Sequence, residues 1–400
     1  MPKLLADSFF FIQFYINLPL DGAAFVMLSV FLKLQHKRTS FLAGIKSIDW
    51  IGVITIVGGV VMFLLGLESG GNSHPWTSAY TLCLLIFGVL TFVIFFLNEW
   101  KLAKYPIVPL RLFNNRSACA AFASAFLHGF VFISGSYFLP LYFQTVLSAT
   151  PLLSGIYLFP FALSLSLQSA IIGLLIKRTG HYREPIWFGF IFMTLGFGLF
   201  IDLGPTAHWP KIILYQIIAG LGVGPNFQSP LIALQSTIHP QDIATATGTF
   251  GFIRQLSTSL SVVLGGVIFS NALAGQTGYL ARRLPADVAA KLAASSPGSN
   301  AALLHSLPPD QKAVVNVAYA RSLSRMWTFY TAVSALAILV SLLIRKKVLS
   351  TTHERTVTGL EGQERARLER AEERRVRKGK GGLVAEGRGD GSMEEVKEEV

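Results

Sequence analysis

Nine long runs of apolar residues set the strongest constraint on how this chain folds. A helix of about 20 residues crosses the roughly 30 Å core of a bilayer, and only helices and closed barrels satisfy their own backbone there. The alternation of polar and apolar residues that is typical of barrel strands is absent. We therefore predict an all-α integral membrane protein with about nine transmembrane helices. The runs are Phe9–Leu32, Trp50–Leu67, Tyr80–Leu97, Ala118–Leu139, Leu153–Ile176, Pro185–Leu203, Ile212–Leu234, Ile243–Ser270 and Met326–Ile344.

Composition supports a membrane protein and excludes several other classes. Apolar residues make up 52% of the chain and charged residues 14%, whereas about a quarter of the residues in soluble domains are charged. Cys83 and Cys119 both lie in apolar runs, so they indicate neither a disulfide framework nor a metal site. Catalytic and phosphate-binding signatures are also missing. We expect no enzyme activity, no metal, no bound cofactor and no nucleic-acid partner.

Basic residues divide unevenly between the loops. With the amino end of the first run outside, the inner loops hold 11 Lys and Arg residues and the short outer loops hold one. Because Lys and Arg accumulate on the cytoplasmic side, this count fixes the predicted orientation. The long loop 271–325 is then extracellular, and Ala281–Ala294 within it is compatible with a surface helix. The inner basic residues are Lys33, Lys37, Arg38, Lys46, Lys101, Lys104, Arg111, Arg116, Lys177, Arg178 and Arg183.

Six stretches resemble the major facilitator superfamily, in particular the fungal fourteen-helix drug:proton antiporter type. They occur in the order that this family shows and together cover about residues 13–345. The stretches are FYINLP at 14–19, IDWIG at 48–52, PIVPLRLF at 106–113, YFLPLYFQ at 137–144, GLGVGPNFQSP at 220–230 and ATATGTFGFIRQ at 244–255.

The resemblance implies an assignment of helices six to fourteen of fourteen. Residues 1–38 would hold the last helix of the amino-terminal half, 39–116 a two-helix linker, and 117–345 a six-helix carboxyl-terminal bundle. Residues 346–400 would form a charged, largely disordered cytoplasmic tail. The family's first five helices have no counterpart here, which either a shortened gene model or a real short form explains. Because the superfamily places its substrate path between two halves, we expect this chain alone to be inactive without the amino-terminal half.

The function implied by the resemblance is proton-driven export of small amphipathic molecules such as drugs, toxins or secondary metabolites. The partners would be the lipid bilayer and the small-molecule substrate, with the proton gradient as the energy source. The plasma membrane is the expected location, and a vacuolar membrane is the alternative. Vacuolar transport of basic amino acids or siderophore transport is a second reading. A membrane interaction protein that transports nothing is a third.

Arg254 is the most informative candidate site residue. It lies 11 residues after Ile243, which is about 16 Å along a helix and near the middle of the bilayer. A charged side chain at that depth faces the protein interior or a water-filled cavity. We therefore expect Arg254 to face a central cavity and to contact substrate or a carboxylate, although bonding to backbone carbonyls is an equal alternative. Other polar candidates for the cavity are Asn226, Gln228, Gln255, His128 and Gln144.

Two further groups of residues suggest moving parts. Gly220 and Gly224 share a helix face that permits close packing, and Pro225 removes a backbone donor. This segment is either a packing kink or a flexible gate, and Pro19 is a second kink candidate. The resemblance also points to an inner loop motif repeated in each superfamily half. Its residues here are Gly173, Lys177, Arg178, Gly180 and Arg183.

The predicted orientation is testable by cysteine labelling in a chain whose Cys83 and Cys119 are replaced by alanine. We expect Lys37→Cys and Lys177→Cys to react with a membrane-impermeant thiol reagent from the same side, because both loops are predicted to be cytoplasmic. Ser148→Cys is the control and should react from the opposite side. Labelling of positions 37 and 177 from different sides would contradict the helix count.

Overall fold

The structure is a computed structural model that describes residues 15, 17–31, 41–70, 73–103, 106–286, 288, 307–347 and 368. The chain divides into two units: Met1–Lys46 with Thr356–Val400, and Ser47–Arg355. Half of the predicted surface helix Ala281–Ala294 and nearly all of the predicted tail lie outside the described residues.

The smaller unit contributes two described helices, α1 (Asn17–Phe31) and α2 (Phe41–Lys46). Every residue of α1 is exposed, as expected for an apolar helix whose surroundings are lipid. With 15 residues, α1 measures about 22 Å. The predicted run Phe9–Leu32 is longer, and most of its remaining residues lie outside the described part. Pro19 lies in the first turn of the described part of α1.

The described part of the larger unit is a bundle of helices, most of them long. A π-helical turn, Asn98–Leu102, ends α4, and a 3-10 turn, Leu110–Asn114, precedes α5. The helices are α3 (Trp50–Ser69), α4 (Ala79–Leu97), α5 (Arg116–Thr145), α6 (Pro151–Tyr157), α7 (Phe159–Thr179), α8 (Arg183–Leu199), α9 (Trp209–Val223), α10 (Ser229–Thr237), α11 (Ile243–Ala274), α12 (Thr277–Ala281) and α13 (Pro309–Ser341).

Eight segments of the described chain are long and apolar enough to cross a membrane, and α1 is a shorter apolar helix. The prediction of an all-α integral membrane protein is thereby confirmed. The eight segments are Trp50–Ser69, Ala79–Leu102, Arg116–Thr145, Phe159–Thr179, Arg183–Asp202, Trp209–Thr237, Ile243–Ala274 and Pro309–Ser341.

Three predicted helix boundaries differ from the structure, each for a local reason. The run Leu153–Ile176 is broken at Leu158, since Pro160 follows and cannot donate a backbone hydrogen bond. The helix through Ile212–Leu234 is interrupted by a 3-10 turn, Gly224–Phe227, because Pro225 has no backbone donor. The last helix starts at Pro309 instead of Met326, because helical structure continues beyond the apolar part into polar residues. The segment 271–325 therefore contains helix at both ends rather than being a single loop.

Helix α5 lies at the centre of the larger unit, where it packs against α10, α11 and α13. Its buried face includes Phe130, Phe138 and Phe143, and the neighbouring helices add Trp327 and Tyr330 to the same core. By contrast, α7 exposes leucines on its outer side, including Leu167, which is 64% exposed. Exposed leucines of this kind suit a helix surface in contact with lipid.

Loops that the charge count assigns to one side contact one another in the structure. At the predicted inner end, Arg111 pairs with Asp242 at 2.9 Å, and the Tyr182 hydroxyl donates to the Arg345 carbonyl at 2.8 Å. At the predicted outer end, the Tyr142 hydroxyl donates to the Gly204 carbonyl at 3.0 Å. These contacts agree with the predicted grouping of the loops. Which end faces the cytoplasm stays a prediction.

The close packing of α9 on α7 predicts a strong effect of Gly220→Ala. A Cβ at position 220 would lie 2.7 Å from the Phe161 carbonyl oxygen and 2.9 Å from the Leu165 nitrogen. Since neither backbone atom can move freely, we expect unfolding free energy to fall by about 1–3 kcal/mol. Thermal denaturation in detergent measures this change.

The matched control is Gly266→Ala, a helical position at which a Cβ would meet nothing within 4 Å. Alanine favours helix over glycine by up to about 1 kcal/mol, so this variant should be neutral or more stable. Equal melting temperatures for the two variants would contradict the packing argument.

Candidate functional site

The helix through α9 and α10 changes its geometry at a 3-10 turn, Gly224–Phe227. Pro225 has no backbone donor, and the Ser229 hydroxyl bonds to the Pro225 carbonyl at 2.7 Å. Gly224 packs closely on α7, since a Cβ there would lie 2.7 Å from the Leu165 carbonyl oxygen. The turn is therefore held against α7 on one side. On its other side it presents Phe227.

Phe227 is the meeting point of three elements. Its ring centroid lies 5.0 Å from that of His128 and 5.0 Å from that of Phe132, both on α5. The Arg254 guanidinium carbon of α11 lies 5.6 Å from the same ring, and Arg254 Nη1 donates to the Phe227 carbonyl at 3.5 Å. We call His128, Phe132, Phe227 and Arg254 the Phe227 cluster. It combines one cation with three aromatic rings, which is favourable for cation–π contact.

A polar, uncovered surface adjoins the Phe227 cluster. Gly248, Gly251 and Gln255 are exposed and follow one face of α11 at helical spacing. Gln228, directly after Phe227, is also exposed. We call these four residues the open face. Arg254 is half-buried beside it, so the guanidinium is reachable from this side.

His128 has a different environment from Arg254, although the two residues belong to the same cluster. It is fully buried, and its Nε2 lies 3.0 Å from the Val223 carbonyl oxygen. A carbonyl only accepts, so Nε2 carries the hydrogen. In the neutral ring Nδ1 is then an acceptor, and it has no partner among the described residues.

Two other buried polar side chains lie near these elements without a described partner. Asn226 is 1% exposed and neither its Oδ1 nor its Nδ2 forms a hydrogen bond in the described part of the chain. Ser124 Oγ, one turn before His128 on α5, is also buried without a described hydrogen-bond partner. A buried polar group left unpaired costs about 1–3 kcal/mol. Such groups are suited to bind water, a proton or a ligand atom.

Other predicted site residues lie away from the Phe227 cluster. Gln144 is 16 residues beyond His128 on α5, about 24 Å along the helix, and its Nε2 donates to Ser154 Oγ at 3.2 Å. Gln144 thus links α5 to α6 near the predicted outer end.

The predicted inner loop motif likewise forms the end of a helix rather than part of the cluster. Gly180 closes α7 with a left-handed φ of 69°, which glycine adopts without strain. Gly173, Lys177 and Arg178 are exposed. The Arg183 guanidinium carbon lies 4.5 Å from the Trp187 ring, and its buried Nε has no described partner.

Sequence reasoning did not identify Phe227 or Gly129 as site residues. A Cβ at Gly129 would lie 3.0 Å from Arg254 Cγ and 3.1 Å from the Arg254 carbonyl oxygen. The missing side chain at this position therefore lets α11 approach α5. Phe227 lies inside one of the six family-like stretches, which is a usable signal. Among 31 phenylalanines, however, nothing in the sequence distinguishes it.

A helical membrane bundle with an open polar face and a half-buried cation is typical of a membrane transporter for small molecules. Comparison with known proteins agrees: residues 11–262 match the Major Facilitator Superfamily. The chain belongs to that superfamily of transporters and is a multi-pass membrane protein.

Its relatives include fungal efflux pumps. The chain is 48% identical over 353 residues to the efflux pump dotC of Dothistroma septosporum, covering 88% of this chain and 60% of that pump. It is 44% identical over 365 residues to the MFS-type transporter ppz2 of Metarhizium majus, covering 91% and 63%. It is 31% identical over 345 residues to the efflux pump FUS6 of Gibberella fujikuroi, covering 84% and 61%. The chain thus spans about 60% of the length of these relatives.

The unpaired state of Asn226 predicts that its amide contributes little to stability. We expect Asn226→Ala to change the free energy of unfolding by less than about 1 kcal/mol, because no hydrogen bond is lost and an unpaired buried amide is removed. Thermal denaturation of the purified chain measures this.

Ser261→Ala is the control, since the Ser261 hydroxyl contacts the Phe130 carbonyl oxygen and lies 3.1 Å from the Tyr330 hydroxyl. Its loss should cost about 1–3 kcal/mol. If Asn226→Ala is as destabilising as Ser261→Ala, the amide has a structural partner.

Proposed function

We propose that this chain forms the carboxyl-terminal part of a proton-coupled exporter of small amphipathic molecules such as drugs, toxins or fungal secondary metabolites. The observation that carries the proposal is the Phe227 cluster beside the open face. It joins a cation, which the sequence predicts near mid-membrane depth, to aromatic rings on a surface that no described helix covers. The similarity to fungal efflux pumps supports export as the direction of transport.

The open face also bears on what the chain needs in order to work. Exposed polar residues such as Gln228 and Gln255 are costly against lipid. They are suited instead to a water-filled path between two helical bodies that rock against each other. We propose that helices corresponding to the remaining part of the longer relatives supply the opposite wall. This chain alone would then bind substrate without moving it across the membrane.

Proton coupling requires groups that can exchange protons inside the path. His128 is a candidate, because its Nδ1 is a free acceptor and the Arg254 cation belongs to the same cluster. Protonation of His128 would place its positive charge close to that of Arg254, which favours loss of the His128 proton or binding of an anion. The plasma membrane is the proposed location, since export from the cell requires it.

Transport by a fusion protein tests the proposal. The amino-terminal part of the Dothistroma efflux pump that this chain does not match is joined to the chain, and both proteins are placed in proteoliposomes. We expect the fusion to transport fluorescent amphipathic dyes when a pH gradient is imposed and to stop when a protonophore collapses it. The chain alone should show no transport. Proton-dependent transport by the chain alone would contradict the need for a second half.

The role of Arg254 is tested in the same assay. Arg254→Ala in the fusion should lower the initial rate at least about tenfold, because one charged hydrogen bond is worth about 1.5–3 kcal/mol. Arg283→Ala is the control: this exposed arginine also lies over an aromatic ring, 4.6 Å from Tyr279, but near the predicted outer end. Equal rates for both variants would exclude Arg254 from the transport path.

A further inference from the structure

Arg254 has no acidic partner among the described residues. The carboxylates of the larger unit lie at or near helix ends, and most already have partners there: Asp49 caps α3, Glu99 accepts from the Ile107 nitrogen, and Asp202 binds Lys211. Glu184 contacts Lys346 and Asp242 binds Arg111. None of these carboxylates pairs with Arg254 in the described part of this unit.

Other cations of the larger unit also lie toward its two ends. Lys177 and Arg178 are in the last turn of α7, and Lys211 is in the first turn of α9. Arg325 is in the middle of the longer helix α13, but it lies beside Gly275, just after the end of α11. Arg254 therefore places an isolated positive charge at mid-depth, where charge is costly unless it is compensated.

The guanidinium of Arg254 has unused hydrogen-bonding capacity. An arginine side chain carries five N–H donors, and the contact that the structure gives is one long bond of 3.5 Å to the Phe227 carbonyl. A planar carboxylate accepts two parallel hydrogen bonds from a guanidinium, which is the strongest geometry available to this group. The unused N–H donors of Arg254 are thus suited to an anion with two acceptor oxygens.

Aromatic rings surround the position where such an anion would bind. Phe227 and Phe132 are only partly buried, and their centroids are 5.0 Å apart at an interplanar angle of 75°. Phe161 extends the group beyond Phe132 at 6.5 Å. A flat ring stacks favourably on such an edge-to-face group, typically by about 0.5–1.5 kcal/mol per pair.

The surface next to Arg254 has room for a ring-sized ligand. Gly248 and Gly251 lie on the exposed side of α11, and a Cβ at either position would meet nothing within 4 Å. Gln228 and Gln255 border the same surface and can bond polar substituents.

We infer that Arg254, Phe227 and Phe132 form a binding site for planar aromatic carboxylates, so that the transport path selects anionic over neutral or cationic aromatic molecules. This inference specifies the substrate class of the proposed exporter and rests on that function for its physiological meaning. The charge of the ligand is the decisive property, because the open face offers a cation and no described carboxylate.

Equilibrium binding to the purified 400-residue chain in lipid nanodiscs tests the site directly. The probes are 2-naphthoate, its neutral counterpart 2-naphthamide and the cation 2-naphthylmethylammonium. We expect 2-naphthoate to bind at least about tenfold more tightly than the other two, which matches the added strength of a charge-assisted pair. Equal affinities, preference for the cation or absence of naphthoate binding to the folded chain would overturn the inference.

Three variants separate the contribution of the Arg254 charge to binding from that of the Phe227 ring. Arg254→Gln should abolish the preference for naphthoate, while Phe227→Leu should weaken naphthoate and naphthamide by the same factor of about two to ten. Arg283→Gln should leave all three affinities unchanged. Gel filtration and thermal denaturation verify that each variant folds. Preference for naphthoate that survives Arg254→Gln would show that the anion binds elsewhere.

This binding experiment and the transport experiment fail independently. Selective naphthoate binding without transport by the fusion protein would support the site and reject the exporter. Transport of neutral and cationic dyes that Arg254→Gln leaves unchanged would support the exporter and reject the anion site.

Discussion

Direct contact between the backbones of α9 and α7 is the interaction on which the site depends. Gly220 in α9 and Gly224 in the following turn have no side chains, so the backbone there lies close to the Phe161 and Leu165 backbone of α7. This contact fixes the 3-10 turn that follows and thereby directs Phe227 toward α5 and α11. In lipid no hydrophobic force drives helices together, so close packing of this kind provides much of the association energy. The position of the Phe227 cluster thus depends on the absence of side chains at Gly220 and Gly224, which lie on a different side of the same segment.

Most polar side chains in the spans satisfy their hydrogen bonds locally, which makes the exceptions informative. Thr194 donates to the Phe190 carbonyl and Thr331 to the Trp327 carbonyl, each four residues earlier on the same helix. Such bonds allow a hydroxyl to exist in lipid without any partner helix. Asn226 and the Nδ1 atom of His128 do not follow this rule. The Asn226 amide lies against Gly189 of α8, whereas His128 belongs to the same cluster as the Arg254 charge.

The sequence was sufficient to predict the helical membrane fold, because the length of apolar runs reflects bilayer thickness directly. Its expectation that Arg254 faces a central cavity stays a prediction; in the structure this residue is half-buried and contacts the Phe227 carbonyl. The sequence could not predict the break at Leu158 or the start of the last helix at Pro309, because both depend on where helical backbone continues beyond the apolar residues. The pairing of Phe227 with His128 was equally inaccessible. Contacts between rings on different helices are set by packing distances that no local pattern records.

The segment after the last helix is held through main-chain atoms. The Tyr182 hydroxyl donates to the carbonyl of Arg345 and accepts from the nitrogen of Lys347, while the nitrogen of Arg345 donates to Ser117 Oγ. Every residue except proline offers a backbone nitrogen, and all offer a carbonyl. The Lys347 ammonium adds one side-chain bond, to the Ser236 carbonyl at 2.8 Å, but the three main-chain bonds do not depend on which side chains stand at 345 and 347. The chain is thereby attached to the bundle as far as Lys347, well beyond the end of its last helix.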